Sequence, residues 1–234
     1  MTTSFELPHA AIPVRGRTTA HCAESAAAVT ALLLAGVVTG GTVMVREPLP
    51  LDDDAARALR AAVASTGAYV VASADGLTAT TRATAGELPP FRCTVPADVL
   101  PLYAVAAARA ADDCVLSCTD SAATEWLPVL RQIGITARGA GTAIVVSPGI
   151  QETAVVVVAH GGDVRVVLTA LLAALIRPGT RIVDTAPLDA ALPGFLDCWN
   201  RLLAADEYLL PGSALVPSDY TARTVRTDAP EPTS

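Results

Sequence analysis

Three stretches of the chain are apolar almost without interruption. Each is followed by a turn and a short β-branched run: Ala31–Val45, Leu102–Leu116 and Leu168–Val183. A helix that is apolar on every side is buried on every side. The runs Val43–Val45, Ile144–Val146, Val155–Val158 and Ile182–Val183 have the branched side chains that suit a half-buried sheet. Thr42, Cys114 and Thr180 hold equivalent places in the three stretches, 72 and 66 residues apart. Self-similarity at such a spacing marks internal repetition.

A second, more amphipathic helix is predicted after each strand, over Asp53–Ser65, Ala122–Ile133 and Gly194–Ala204. Gly67 and Gly134 follow the first two, where a left-handed C-cap is expected. The expected architecture is therefore α/β: one domain over residues 1–216 with units at about 20–83, 91–149 and 153–210, helices inside and sheets outside. The stretch from Thr84 to Pro90 reads as a connection between units. Pro217–Ser234, rich in Pro, Thr, Asp and Ser, reads as a disordered tail.

Composition narrows the partners. In 234 residues, 52% are hydrophobic and 17% charged, enough for a packed core. The longest apolar stretches, Ala26–Val38 and Val166–Ile176, fall short of the roughly 20 residues that span a bilayer. No membrane partner is expected. The net charge is −7 and no basic run occurs, so nucleic acid is not expected either. All 16 basic residues are arginine. The absence of lysine excludes Schiff-base chemistry, a phosphate-loop lysine and a lysine general base.

The five cysteines (Cys22, Cys93, Cys114, Cys118 and Cys198) are odd in number and scattered. They read as reduced core thiols of a cytoplasmic protein, as does the opening Met-Thr-Thr-Ser-Phe-Glu, which has no secretory character. Cys114 and Cys118 lack further ligands at zinc spacing, and packing outranks a metal there. Neither a metal nor a cofactor is expected.

Candidate chemistry lies at the helix starts. The turn His160-Gly161-Gly162-Asp163-Val164-Arg165 precedes the third apolar helix. Its glycines let backbone approach a ligand, its helix end favours an anion, and Arg165 offers a fork suited to phosphate or carboxylate. The alternative is a plain turn with Asp163 as N-cap and Arg165 in a surface ion pair; both readings stand. Asp98, in Val95-Pro-Ala-Asp-Val99, is either a general base or a helix cap, and capping is the commoner use of an Asp so placed. Ser25 and Glu24, opening the first apolar helix, either contact a ligand or start the helix. Asp52–Asp54 reads as capping, and His9 and His21 have no discernible partner.

These residues resemble the enolpyruvyl transferases, 5-enolpyruvylshikimate-3-phosphate synthases in particular. Ala31-Leu-Leu-Leu-Ala, Gly41-Thr-Val-Met-Val, Glu47-Pro-Leu-Pro-Leu-Asp-Asp-Asp54 and Ala58-Leu-Arg are similar to that family's A-L-L-L-A, G-x-T-x-(V/I), N-P-L-x-S-D-D and A-L-R. Gly162-Asp-Val-Arg165 and Ala190-Ala-Leu-Pro-Gly-Phe195 resemble D-H-R and K-S-(F/Y)-P-x-F, and Asp98 takes the place of the acid in its P-D stretch. The likeness spans roughly residues 20–205.

The resemblance implies one domain of three βαβαβ-type repeats, half of a two-domain fold whose ligand cleft lies between the domains. A second copy or a complementary half-length chain would complete the cleft. It also implies a phosphorylated cyclohexane-type or sugar-like ligand, with Asp98 as general acid/base, Arg165, Asp163 and His160 at the anion, Gly161 and Gly162 as its backbone cradle, and Ser25 and Glu24 at the first helix. The sequence departs from the pattern at P-G-S-K-S, which is Cys22-Ala-Glu-Ser-Ala26 here, so Ser25 stands for the lysine. K-E-(S/T)-D-R falls around Cys118–Ala123 without its lysine, glutamate or arginine; Val164 replaces the histidine of D-H-R, and Ala190 the lysine of K-S-(F/Y)-P. These losses point away from standard enolpyruvyl transfer, towards a derived elimination or epimerisation or an inactive half-domain that serves a partner.

Overall fold

Three helices with almost no polar surface organise the chain. The computed structural model describes residues 5–6, 15–19, 25–46, 54–74, 76–81, 88–119, 122–151, 156–158, 161–177, 180–182 and 185–203. Glu24, His160, Cys22 and the tail 217–234 lie outside them, as does most of the connection at 84–90. In chain order the elements are β1 (Phe5–Glu6), β2 (Arg15–Thr19), α1 (Ala26–Thr39), β3 (Thr42–Arg46), α2 (Asp54–Ser65), β4 (Tyr69–Ser73), β5 (Gly76–Thr80), β6 (Arg92–Val95), α3 (Leu100–Ala107) and β7 (Cys114–Cys118). A 3-10 turn (Ala123–Trp126) then leads into α4 (Leu127–Ile133), followed by β8 (Ile135–Ala140), β9 (Ala143–Ile150), β10 (Val156–Val158), α5 (Val164–Ala174), β11 (Thr180–Ile182), α6 (Ala186–Ala191) and α7 (Phe195–Leu203).

Every residue of α1 from Ala27 to Thr39 is buried, as is all of α3 and α5 from Val166 onward. The threonine hydroxyls in them bond back to their own helix: Thr30 to the Ala26 carbonyl (2.7 Å), Thr39 to Ala35 (2.6 Å) and Thr169 to Arg165 (2.7 Å). The Tyr103 hydroxyl of α3 is the exception to the rule that buried polar groups are paired: it has no hydrogen-bond partner among the described residues. The three helices pack on one another, and each lies on its own sheet: α1 on β3 and β5, α3 on β7 and β9, α5 on β11.

The sheet orders are β2-β3-β5-β4, β6-β7-β9-β8 and β1-β11-β10. In each, the strands before and after the buried helix are parallel (β2/β3, β6/β7, β10/β11), the pairing that a helical crossover permits. An antiparallel strand then flanks the second of them: β5, β9 and, in the third sheet, β1 from the start of the chain. Both β1 and β2 precede residue 20, where the sequence pattern places the start of the first unit. Arg-Gly-Arg-Thr-Thr in β2 has no apolar alternation; it joins the sheet through its backbone ladder, which hydrophobic pattern does not report.

The amphipathic stretch after the second sheet strand divides into the 3-10 turn and α4, because Pro128 sits in the first turn of α4, where a missing N–H costs nothing. Gly134 closes α4 in the left-handed region (φ 87°). Against that end lies Arg177, which is 6% exposed and donates from Nη1 to the Ile133 carbonyl at 2.7 Å. Burial pushes its pKa down. Arg177→Met, which keeps most of the stem, leaves that carbonyl without this donor; a loss of roughly 1–3 kcal/mol is expected in urea unfolding, and an unchanged midpoint would refute this role.

Cys114 and Cys198 are buried and Cys93 and Cys118 half-buried, all as free thiols. Burial pushes the Cys93 thiol up to about 12, against a lesser lowering by the Ser65 hydroxyl. The thiolate is the reacting form, so Cys93 should resist iodoacetamide at pH 8 in the folded protein and react on unfolding. Peptide mapping of the alkylated chain measures this. Among the described residues no helix is long and apolar enough to cross a membrane.

Candidate functional site

A helix that crosses between parallel strands starts at their C-terminal ends. At the end of β6 the chain passes through Pro96-Ala97-Asp98 into α3; at the end of β7 it enters the 3-10 turn that carries Trp126; after β10, Gly161-Gly162-Asp163 leads into α5. The Thr119 N–H donates to the Val95 carbonyl (3.1 Å), which ties the first two of these ends together. The third joins them through Arg165. Its guanidinium carbon lies 4.9 Å from the centroid of the Trp126 ring, and the Asp98 carboxylate is among the charges that raise its pKa.

Asp163 caps α5: its Oδ1 accepts from the Arg165 backbone N–H at 2.9 Å. The same carboxylate grips the Arg165 side chain, with Nε at 2.9 and 3.2 Å from its two oxygens and Nη2 at 2.6 Å from Oδ2. The hydrogen bond from Arg165 is the main cause that holds the Asp163 carboxyl below its usual range, with burial opposing it. The bond to Asp163 likewise comes first in raising Arg165. The cap-and-ion-pair arrangement is thus the one present, with Nε and Nη2 of Arg165 engaged. Both side chains are partly exposed, 43% for Arg165 and 32% for Asp163, so solvent screens the pair.

A depressed folded-state carboxyl stabilises the fold above its unfolded pKa of about 3.9. That contribution is lost as pH falls through the lower folded value. Wild-type stability should therefore drop more steeply below about pH 4 than that of Asp163→Asn in urea titrations; parallel profiles would show that the pair contributes nothing.

Asp98 departs from the capping expectation. The N-cap of α3 is Val99, with no side-chain bond to the helix, because the Val99 and Leu100 N–H groups both turn back to the Pro96 carbonyl (3.2 Å each) and Pro101 has no N–H to offer. The Asp98 Oδ1 is buried and has no hydrogen-bond partner among the described residues. Ser25 does cap: its Oγ accepts from the Ala28 N–H at 3.3 Å at the start of α1. Gly161 and Gly162 both take positive φ (56° and 85°), and a side chain at either would meet nothing within 4 Å, so that face of the turn is open.

The structure thus brings Asp98, Asp163 and Arg165 to one place and adds Trp126, which sequence reasoning missed. The one available signal was rarity: the chain has two tryptophans, and the other, Trp199, is buried against Phe195 in α7 (centroids 5.9 Å apart). Chemically the cluster offers a buried carboxylate oxygen with no donor, an arginine within reach of its charge, and the N-terminal ends of α3 and α5, which favour negative charge.

Mutually packed helices, each bracketed by parallel strands of a mixed sheet, define an α/β class with its candidate site at the helix N-termini. Solved structures place that class as the enolpyruvyl-transferase fold. The enolpyruvyl transferase NikO from Streptomyces tendae matches with a TM-score of 0.60 and 22% identity over 76% of this chain. Two structures of the 5-enolpyruvylshikimate-3-phosphate (EPSP) synthase from Acinetobacter baumannii match at 0.55 and 17% over 75%. The chain spans 42–45% of the length of these proteins. No protein-family model matches the sequence, and no curated protein matches it.

Proposed function

We propose that this protein is an enolpyruvyl-transferase-like domain of three βαβαβ-type repeats, helices inside and sheets outside, that acts on a phosphorylated cyclohexane-type or sugar-like small molecule. The observation that carries this reading is the Asp98 Oδ1, buried without a hydrogen-bond donor at the start of α3 in a half-buried carboxylate whose charge reaches Arg165 at the start of α5. In a bound complex a ligand hydroxyl or C–H faces Asp98, which acts as general acid/base. The ligand anion takes the remaining Nη1 edge of Arg165 and lies against the open face of the Gly161–Gly162 turn. His160, Glu24 and Ser25 are assigned to the rim of the same site on the resemblance alone.

The reaction is an elimination or epimerisation rather than standard enolpyruvyl transfer. A chain without lysine lacks several charge-assisted contacts, each worth about 1.5–3 kcal/mol, that the resemblance assigns to phosphoenolpyruvate. The cleft is completed by a second copy or by a complementary half-length chain, as the resemblance to a two-domain fold implies. A second reading, an inactive half-domain that serves a partner, is favoured by one observation: Asp163 already engages the charge of Arg165.

Calorimetric titration of the purified protein with shikimate 3-phosphate, phosphoenolpyruvate and a panel of cyclitol and sugar phosphates tests the proposal. Binding that Arg165→Ala weakens by tenfold or more supports it; silence across the panel supports the partner-dependent or inactive reading. Light scattering on the same sample separates a self-assembled cleft from one that needs another chain.

A further inference from the structure

Two neighbours hold the Arg165 guanidinium in different ways. Asp163 binds one edge, through Nε and Nη2. Trp126 offers its ring face to the cation, whose central carbon sits over the ring 4.9 Å from the centroid. The edge contact comes from a residue two positions away on the same turn, so it orients Arg165 only relative to α5. Trp126 comes from the other side, in the turn between β7 and α4. That turn belongs to the same strand–helix assembly as Asp98, and its first part is tied to β6 by the bond from Thr119 to Val95.

Trp126 is itself fixed. It is 6% exposed, in the last position of the 3-10 turn, and Pro128 in the first turn of α4 restricts the backbone just beyond it. A cation over an indole face is held by the ring quadrupole, more strongly as water is excluded. An edge contact and a face contact together fix both the position and the plane of a guanidinium, and what they leave is the Nη1 edge.

We propose that Trp126 is the positioning residue of this site: its indole face sets the plane of Arg165, so that the edge not gripped by Asp163 and the Asp98 carboxylate address one ligand. This rests on the anion-binding reading above, and adds to it a residue that touches no reacting atom and acts through Arg165.

The test compares Trp126→Phe with Trp126→Leu. Both remove the indole and leave an apolar side chain; a purely space-filling role predicts losses of affinity that follow the losses of urea stability, and only Phe keeps a π face. Besides urea unfolding, two measurements are made on the full chain: calorimetric affinity for shikimate 3-phosphate, and the ring-current shift of the Arg165 Nε–H resonance, assigned through its loss in Arg165→Lys. Trp126→Leu is expected to weaken binding about tenfold and abolish the shift, while Trp126→Phe stays within about threefold of wild type and keeps a shift; these factors correspond to the span of cation–π strengths. Equal affinities in the two variants, whether both intact or both weakened, overturn the positioning role and leave the anion site standing. A wild-type chain that binds no phosphate ester overturns the anion site and the role of Trp126 with it.

Discussion

Asp98→Asn should leave the fold intact and reduce turnover of any substrate found for this site by about 10²-fold or more, the range over which general acid/base groups act. The two halves of this expectation have one cause. A carboxylate oxygen buried without a donor costs the fold roughly 1–3 kcal/mol, while the nearby Arg165 offsets part of that by attraction. The neutral amide removes the charge and its attraction to Arg165 together and leaves a less costly buried polar atom in their place, so unfolding stability should change by less than about 1 kcal/mol. A structural Asp is told apart by turnover rather than by stability: had Asp98 capped α3, Asn would cap it about as well and turnover would be unchanged. Urea unfolding and a turnover assay on the same sample separate the cases. A stable variant with full turnover removes Asp98 from the chemistry.

Gly76→Ala has the largest expected effect on stability. Gly76 opens β5 at φ 143°, and a Cβ there would lie 2.2 Å from the Val45 carbonyl oxygen and 2.9 Å from the Arg46 Cα. Both obstacles are backbone atoms of β3, the strand that pairs with β5 through Val45 and Leu77. No rotamer change relieves such a clash; the ladder itself has to part. Strained backbone and overpacking together set the cost at roughly 3–5 kcal/mol. Gly141→Ala is the control, since φ there is also positive (66°) but nothing lies within 4 Å of the added carbon. Its cost should stay near 1–2 kcal/mol. Similar urea midpoints for the two variants would show that the close approach of β3 and β5 is not what requires glycine at position 76.

The core was legible because its signal is coarse. A helix buried on every side needs an unbroken apolar run, and α1, α3 and α5 supply three. Thr42, Cys114 and Thr180, equivalent by spacing, each turn out to be the first residue of the strand after a buried helix. What escaped was structure made by backbone pairing. β1 and β2 have no alternation to read, and the partner of β1 lies at the far end of the chain, at Thr180–Ile182.

The site was legible in part. The Gly161–Arg165 turn admits two readings in sequence, and local geometry favours the cap with its ion pair. For Asp98 the commoner use is the wrong one: a cap needs a free N–H one turn on, and Pro101 together with the Pro96 carbonyl removes those on offer. Trp126 was illegible because a cation–π contact joins residues 39 positions apart with no local mark at either.

The central claim is that the starts of α3 and α5 form one ligand site. An amide chemical-shift titration with shikimate 3-phosphate tests it most directly. If the claim holds, the amides of Gly161–Arg165 and of Asp98–Leu100 shift together and saturate at one shared Kd, and the Arg165→Ala chain loses both responses. Shifts confined to one of the two segments, or displaced to another face of the molecule, would contradict it.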